Sequence, residues 1–269
     1  MSVGKIEPLY DMDRIIAGNL EVFVASKPED IEASKVLRYQ VFFEEMGAKA
    51  SDIIAKTQMD QDEFDDVCDH LLVAEHQEDG GYRVVGTYRL LRRQQMKKIG
   101  RFYTDGEFDI NLIKSYDGEI LEVGRSCVHA DFRNRAVMQL LWRGIGAYVV
   151  KFQVKFMFGC ASFHGVDPKE HAMALSYLYH YHLTPKEMCP RALESRYVDM
   201  NLMPKEMVDE KEAFSSLPPL IKGYLRLSGS IGDGAVVDIE YNTVDVSIVV
   251  KTDLITEKYA TRYGSREAV

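Results

Sequence analysis

Residues 122–141, EVGRSCVHADFRNRAVMQLL, decide how this chain folds. They read as a strand ending at Val128, a short loop carrying Arg133, Asn134 and Arg135, and a helix from about Ala136. A helix start presents unpaired backbone N–H groups and a partial positive charge, so with arginines beside it this junction suits a phosphate. Ala136 and Met138, small or unbranched, let a ligand come close to the backbone there. The rival reading is an ordinary strand–loop–helix with surface arginines. The other glycine-rich stretch, GSIGDG at 229–234, follows a helix instead of a strand and reads as a turn.

Upstream, residues 20–25 (LEVFVA) alternate as a first strand. Residues 28–47 read as a helix capped by Ser26, with acids in its first turn and Val36, Leu37, Val41 and Phe42 at helical spacing. An acidic loop with Asp60, Asp62, Glu63, Asp65, Asp66 and Asp69 leads into strands at 70–76 and 83–91, joined by the turn Glu78-Asp79-Gly80-Gly81. The helix after the decisive loop runs to about Lys151, with Val137, Leu140, Leu141, Ile145 and Tyr148 on one side. A strand at 154–162 and a helix near 169–182 make a second βα unit. The proline-started PPLIKGYLRL helix and strands at 235–240 and 244–251 finish the sheet. With no repeat or linker, we expect one domain over 1–269, its core at 19–185 and its remainder completing a mixed α/β sheet.

The 269 residues are 46% hydrophobic and carry a net charge of −9, enough to bury one large core or two small ones and too acidic for a general nucleic-acid binder. A local basic run (Arg89, Arg92, Arg93, Lys97, Lys98, Arg101) suits an acidic partner or an anionic membrane, or is simply a solvated face. Cys68, Cys127, Cys160 and Cys189 stand far apart, which fits neither a zinc site nor a disulfide framework. The scattered histidines give no metal spacing, so no metal is expected. With no signal-like or spanning apolar run, a cytoplasmic location is expected, any contact with the inner membrane being peripheral.

The order Val128, Arg133, Ala136, Met138, Leu141 resembles the pyrophosphate loop of GNAT N-acyltransferases, with Ala136 and Met138 where glycines are usual. The resemblance implies a mostly antiparallel central sheet flanked by helices, with a C-terminal extension. It also implies that Arg133, Asn134, Arg135, Ala136, Val137 and Met138 hold a phosphopantetheine arm, and Met138 leaves less room for a full coenzyme A than for a carrier protein's single phosphate. Arg38 and Phe42, Asp62 and Asp65, Gly86, Arg89 and Leu90, and Glu122 and Arg125 recur in the order seen in acyl-homoserine-lactone synthases. Those usually have tryptophan where Ala48 follows Gly47 here. Over nearly the whole chain, GCASFHGVDP, HAMALSYLYHYHLTP, PRAL, LPPLIKGYLRLSG, GDGAVVD and VVKTDLITEKYA resemble the ornithine lipid acyltransferases. That resemblance implies transfer of a 3-hydroxy fatty acyl group from acyl carrier protein to the α-amine of ornithine, giving lyso-ornithine lipid. The donor thioester is then a substrate, and no permanent cofactor is expected. A lactone-type synthase, a coenzyme A-dependent acyltransferase and a degenerate acyl-binding module are the rivals.

Glu122 sits in an otherwise apolar strand, where a carboxylate needs a partner or a task. It reads as the base for the attacking amine, with an ion pair to Arg125 or Arg89 as a compatible structural role. Asp62 and Asp65 read as a seat for a cationic acceptor or as a solvated acidic loop, with Arg38 either pairing with and ordering them or simply packing on the helix surface. His129 is a candidate proton relay or a structural strand end. The GNAT resemblance implies a tyrosine on the helix near 169–182 as the acid for the leaving thiolate, with Tyr179 the candidate and Tyr177 and Tyr181 open beside it; the rival reading is a core aromatic. Phe156, Phe158 and Phe163 are expected to line an acyl cleft.

Overall fold

The computed structural model describes residues 14–133 and 135–253. It opens with β1 (Ile15–Ala17), β2 (Leu20–Val24) and helix α1 (Pro28–Tyr39), which continues through a wider π-type turn over Gln40–Glu45, and then the short α2 (Asp52–Thr57). The hairpin of β3 (Asp69–His76) and β4 (Tyr82–Arg92) follows. An excursion holding α3 (Arg93–Met96), β5 (Phe108–Asp109) and α4 (Asn111–Lys114) returns to β6 (Glu119–Val128). Next come α5 (Arg135–Lys151), β7 (Val154–His164), α6 (Ala172–His182) and β8 (Arg191–Ala192). Helices α7 (Glu210–Ser216) and α8 (Pro219–Arg226) lead to the closing hairpin, β9 (Ser230–Asp238) and β10 (Thr243–Lys251). The strands join in the order β1-β2-β3-β4-β6-β7-β10-β9-β8-β5, antiparallel except where β6 meets β7 and β8 meets β9. The chain therefore forms the mixed, mostly antiparallel sheet flanked by helices that its sequence implies.

Alternation along the strands supplies two faces. Leu71 and Val73 of β3 join Val137, Leu141 and Ile145 of α5, whereas Leu72 and Ala74 join Leu37 of α1 and Val41 just beyond it. Each such side chain, fully buried, contributes roughly 1.5–3 kcal/mol. Helix α5 lies close to the sheet because Gly144 faces it: a Cβ there would sit 2.8 Å from Val22 and 2.9 Å from Leu71.

Some local expectations need correction. Ser26 does not cap α1; the cap position is Lys27, and Pro28 with Glu29 and Asp30 favours the helix start by its fixed φ and their charge. GSIGDG is not a turn, because Ser230 onward belongs to β9. Its glycines serve close packing: a Cβ on Gly232 would lie 2.8 Å from the Pro190 carbonyl oxygen. The basic run is not one surface, since Arg89 and Arg92 are buried in β4. Asn134, the side chain of Arg135 and the end of the VVKTDLITEKYA block lie outside the described residues.

The feature that makes the site is the parting of two parallel strands. β6 and β7 pair from Glu119 with Val154 to Glu122 with Phe158 and no further. Beyond that point β6 follows β4 and β7 follows β10. Gly159 stands at the divergence, where a Cβ would run into the Val123 carbonyl oxygen. On its other side β6 carries a bulge: Thr87 faces Cys127 and Arg89 faces Gly124, so Arg125 and Ser126 together face Tyr88. Arg125 takes a left-handed φ of 49° there, which turns its side chain away from the regular pleat.

Candidate active site

The parted strands open a mostly apolar cavity of about 440 Å³. Its lining comes from β6 (Glu122 to Val128), β7 (Cys160 to Ser162), the turn after α1 (Phe42, Met46), the start of α8 (Leu220), and the β9–β10 hairpin (Asp238, Tyr241, Asp245).

Behind this lining lies an ion network assembled from four segments. Arg38 of α1, fully buried, donates to Asp60 Oδ2 (2.8 Å) and to both oxygens of Asp65 (2.8 and 2.9 Å). Arg89 of β4 meets Asp62 (2.6 Å) and Asp65 (3.3 Å). Arg125 of β6 meets Asp60 (3.3 Å) and Asp62 (3.2 Å) and lies between the rings of Tyr103 and Tyr241. Burial alone would raise the Asp65 and Asp62 pKa values, but the facing guanidinium groups outweigh it and hold both below the usual carboxylate range. Three acids thus face three guanidinium groups. Asp62 and Asp65 hold arginines here, not an open seat for a cation. Of the expected binding residues, Phe42, Arg89 and Arg125 line the cavity; Arg38, Asp62 and Asp65 support it from behind.

Glu122 is buried and lines the cavity. Its carboxylate accepts backbone N–H from Tyr103 (2.9 Å) and Thr104 (2.7 Å), so its structural task is to pin the 3-10 turn at Thr104–Gly106. Burial pushes its pKa up against the opposing pull of those hydrogen bonds. A carboxylate whose pKa is raised is a better proton acceptor than an ordinary one.

Arg133 and Met138 also line the cavity. Arg133 donates Nε–H to the Val128 carbonyl (3.1 Å) and pairs with Glu45 across the mouth of the α1 turn. Ala136 is exposed, while the Val137 side chain is core, packed toward Gly86. His129 is not among the lining residues: its ring takes the Asp131 N–H (3.3 Å) and meets the Arg83 guanidinium. Tyr179 faces the core around α6, stacked edge-on with His180, away from the cavity. The three phenylalanines do not form its wall either. Phe156 and Phe158 pack in one core cluster and Phe163 in another across the sheet, as odd and even positions of one strand must.

Sequence reasoning missed several residues in or beside the lining. Tyr224 of α8 is buried with its hydroxyl 3.0 Å from that of Tyr88, and burial raises its pKa, so it stays protonated. Glu107, Asp238 and Asp245 bring carboxylate oxygens within 4.8 Å of one another. The available signal was TVDVSIVV (243–250), in which Thr243, Asp245 and Ser247 alternate with valines as a polar face on a buried strand.

Residues 37–143 match the acetyltransferase (GNAT) domain family. The chain is 45% identical to the L-ornithine N(alpha)-acyltransferase of Brucella abortus (strain 2308) over 257 residues, 92% of this chain and 90% of that one. It is 43% identical to that of Rhizobium meliloti (strain 1021) over 251 residues, covering 92% and 85%. Among solved structures, the AHL synthase LasI aligns over 91% of this chain and 95% of its own, at 14% identity and a TM-score of 0.48. Identity of this level along nine-tenths of both sequences, on a fold that parts two parallel strands over a carboxylate-bearing cavity, makes the chain an N-acyltransferase of the L-ornithine N(alpha)-acyltransferase family.

Proposed function

We propose that the protein moves a (3-hydroxy)fatty acyl group from the phosphopantetheine thioester of acyl carrier protein to the α-amine of ornithine, giving lyso-ornithine lipid. The observation that carries this reading is that one apolar cavity contains both the buried Glu122 carboxylate and the Arg133–Met138 side of the α5 junction. Arg133 and the first turn of α5 hold the phosphate of the arm, and Met138 favours a single phosphate over a pyrophosphate. The acyl chain lies against Met46, Leu220 and their apolar neighbours.

Glu122 takes a proton from the α-ammonium, directly or through water, and the freed amine attacks the thioester carbon. Backbone N–H groups at the β6 bulge stabilise the oxyanion of the tetrahedral intermediate. The nitrogen of the adduct gives its second proton to water, the C–S bond breaks, and the thiolate takes a proton. Tyr224, in the cavity and held protonated, is better placed to give that proton than Tyr179 or His129, which lie outside it. The arginine–aspartate network fixes the bulge that carries Arg125 and so holds the site's shape.

The test is to incubate the protein with 3-hydroxyacyl carrier protein and single amino acids and identify the lipid by mass. An acylated ornithine is expected. Product from acyl-coenzyme A alone would move the donor assignment to coenzyme A, and no product from any donor would sink the reading.

A further inference from the structure

Glu107, Asp238 and Asp245 come from three segments: the excursion before β5, the end of β9, and β10. They lie on the sheet face that farther along carries Phe156, Phe158 and Val249, at the place where this face turns polar. All are buried, at 3%, 8% and 4% exposure. Asp238 spends Oδ1 on the Glu240 and Tyr241 amides (2.8 and 3.0 Å). Among the described residues, Glu107 Oε2 and Asp245 Oδ1 have no hydrogen-bond partner, nor do the buried hydroxyls of Thr243 and Ser247 beside them. Thr243, Asp245 and Asp238 line the cavity, so the unpaired groups of Thr243 and Asp245 border its space, with Glu107 grouped against them and not itself a lining residue.

Among the described residues no arginine or lysine forms an ion pair with these three acids. Arg196 is held by the Gly106 and Val237 carbonyls, and Arg125 by Asp60, Asp62 and two aromatic rings. Burial, then mutual repulsion, raises the Glu107 pKa, and burial raises that of Asp245. Natural proteins seldom leave buried carboxylates unpaired unless a ligand completes them. The cluster also adjoins Glu122: Thr104, whose N–H Glu122 accepts, has its hydroxyl 3.8 Å from Cys160 Sγ, and Cys160 borders the acid cluster.

From this we infer that Glu107, Asp238 and Asp245 seat the terminal ammonium of a diamino-acid acceptor while its α-amine lies at Glu122; the inference rests on the acceptor class proposed above. An ammonium offers three N–H donors, and acceptors about 2.8 Å away in tetrahedral directions stand roughly 4.6 Å apart, which matches the spread of these oxygens, no more than 4.8 Å. The seat has a chemical consequence. A nitrogen held by carboxylates keeps its proton and has no lone pair to attack with, whereas the α-nitrogen beside Glu122 can lose one. The cluster therefore sets which amine becomes the amide.

Calorimetry with L-ornithine and with L-norvaline, the same skeleton lacking the terminal amine, tests the seat without any acyl donor. The wild-type protein should bind ornithine at least ten-fold more tightly, and Asp245→Asn or Glu107→Gln, checked for fold by circular dichroism, should lower that ratio at least ten-fold. In turnover assays those variants should release some terminally acylated product, read by fragmentation mass spectrometry. Equal binding of the two amino acids by wild type would overturn the inference, and this comparison decides even if no variant folds. A ratio unmoved in folded variants would overturn it too, as would an ornithine preference that EDTA abolishes and Mg²⁺ or Ca²⁺ restores. Discrimination in binding without ornithine turnover would refute the proposed reaction and leave the seat standing.

Discussion

Arg38→Met is the substitution whose outcome the structure fixes most tightly. Arg38 is fully buried and makes three hydrogen bonds of 2.8–2.9 Å to Asp60 and Asp65, and a fourth to the Asp60 carbonyl. Methionine fills similar volume but leaves three buried acids against two guanidinium groups. Removing one partner of a buried ion pair costs about 3–5 kcal/mol. Arg89 still reaches Asp65 at 3.3 Å, and Arg125 and Tyr241 still reach Asp60, so the low end, about 3 kcal/mol, is expected. For a chain of this size that lowers Tm by roughly 6–12 °C. The pH dependence gives a second signature. Asp62 and Asp65 have folded pKa values below their unfolded ones, so their contribution is present above the unfolded value of about 3.9 and is lost as pH falls through the depressed folded values. The variant holds these carboxylates less firmly and has less to lose in acid. Urea unfolding from pH 7 to pH 3 should therefore show a gap between the two proteins that is largest at neutral pH and narrows toward pH 3. A loss under about 1 kcal/mol at pH 7, or a gap that ignores pH, would refute the account of the network as a load-carrying buried ion cluster.

Other substitutions probe the remaining parts of the site. Glu122→Gln should lower kcat by roughly 10²–10⁴ with its Tm nearly kept, and wild-type turnover would remove Glu122 as the base. Gly159→Ala forces a Cβ against the Val123 carbonyl, so it should cost about 1–3 kcal/mol or more by thermal melt; an unchanged Tm would mean that β6 and β7 need no close approach there. Glu107→Gln, with no amino acid present, should gain about 1–3 kcal/mol at pH 9 and little at pH 4. Glu107's pKa is raised to about 8, so the wild-type fold loses stability as pH rises from the ordinary carboxylate range through that value; no gain at pH 9 would contradict an unpaired buried charge. Arg133→Ala should raise KM for acyl carrier protein at least several-fold and leave KM for ornithine alone, and an equal rise in both would detach Arg133 from the donor arm.

Much of the fold could be read from periodicity, because a half-buried strand and an amphipathic helix each write their period into the local sequence. Helix α5 was visible that way, whereas β3 and β4, buried on both faces, showed as apolar runs either side of a turn. The partners of a charge are not local. Arg38 lies 27 residues from Asp65, and Arg125 lies 63 from Asp62, so spacing could suggest the first pairing and not the closed network. Tyr177, Tyr179 and Tyr181 share one short helix, and only its packing shows that Tyr179 faces away from the cavity while Tyr224, on another helix, enters it. Strand parity, by contrast, could have been used: Phe156 and Phe158 differ from Phe163 by an odd count, so one cleft wall could not hold all three. Glu107 reaches Asp245 only because its excursion folds back to pair β5 with β8, a long-range event without a local signal.

Two groups of three acids sit around one cavity, and cation supply separates their roles. Asp60, Asp62 and Asp65 are matched by Arg38, Arg89 and Arg125, each guanidinium spending its fork on a carboxylate, so this group can bind nothing further without breaking a pair. It buys shape, holding the bulge beside the thioester path. Glu107, Asp238 and Asp245 have no such ion pair among the described residues, and Asp238 and Asp245 line the cavity, so the three are stable together only when protonated or when a cation arrives. A diamino acid meets both requirements of the cavity at once. Its terminal ammonium supplies the missing charge, and its α-nitrogen is left near Glu122, an acid tied to backbone amides and not to a cation. Exchanging the two arrangements would defeat the chemistry: a base locked to arginine has no affinity for a proton, and an unpaired cluster beside the thioester would hold the nucleophile as unreactive ammonium. The choice of amine thus follows from where the arginines stop.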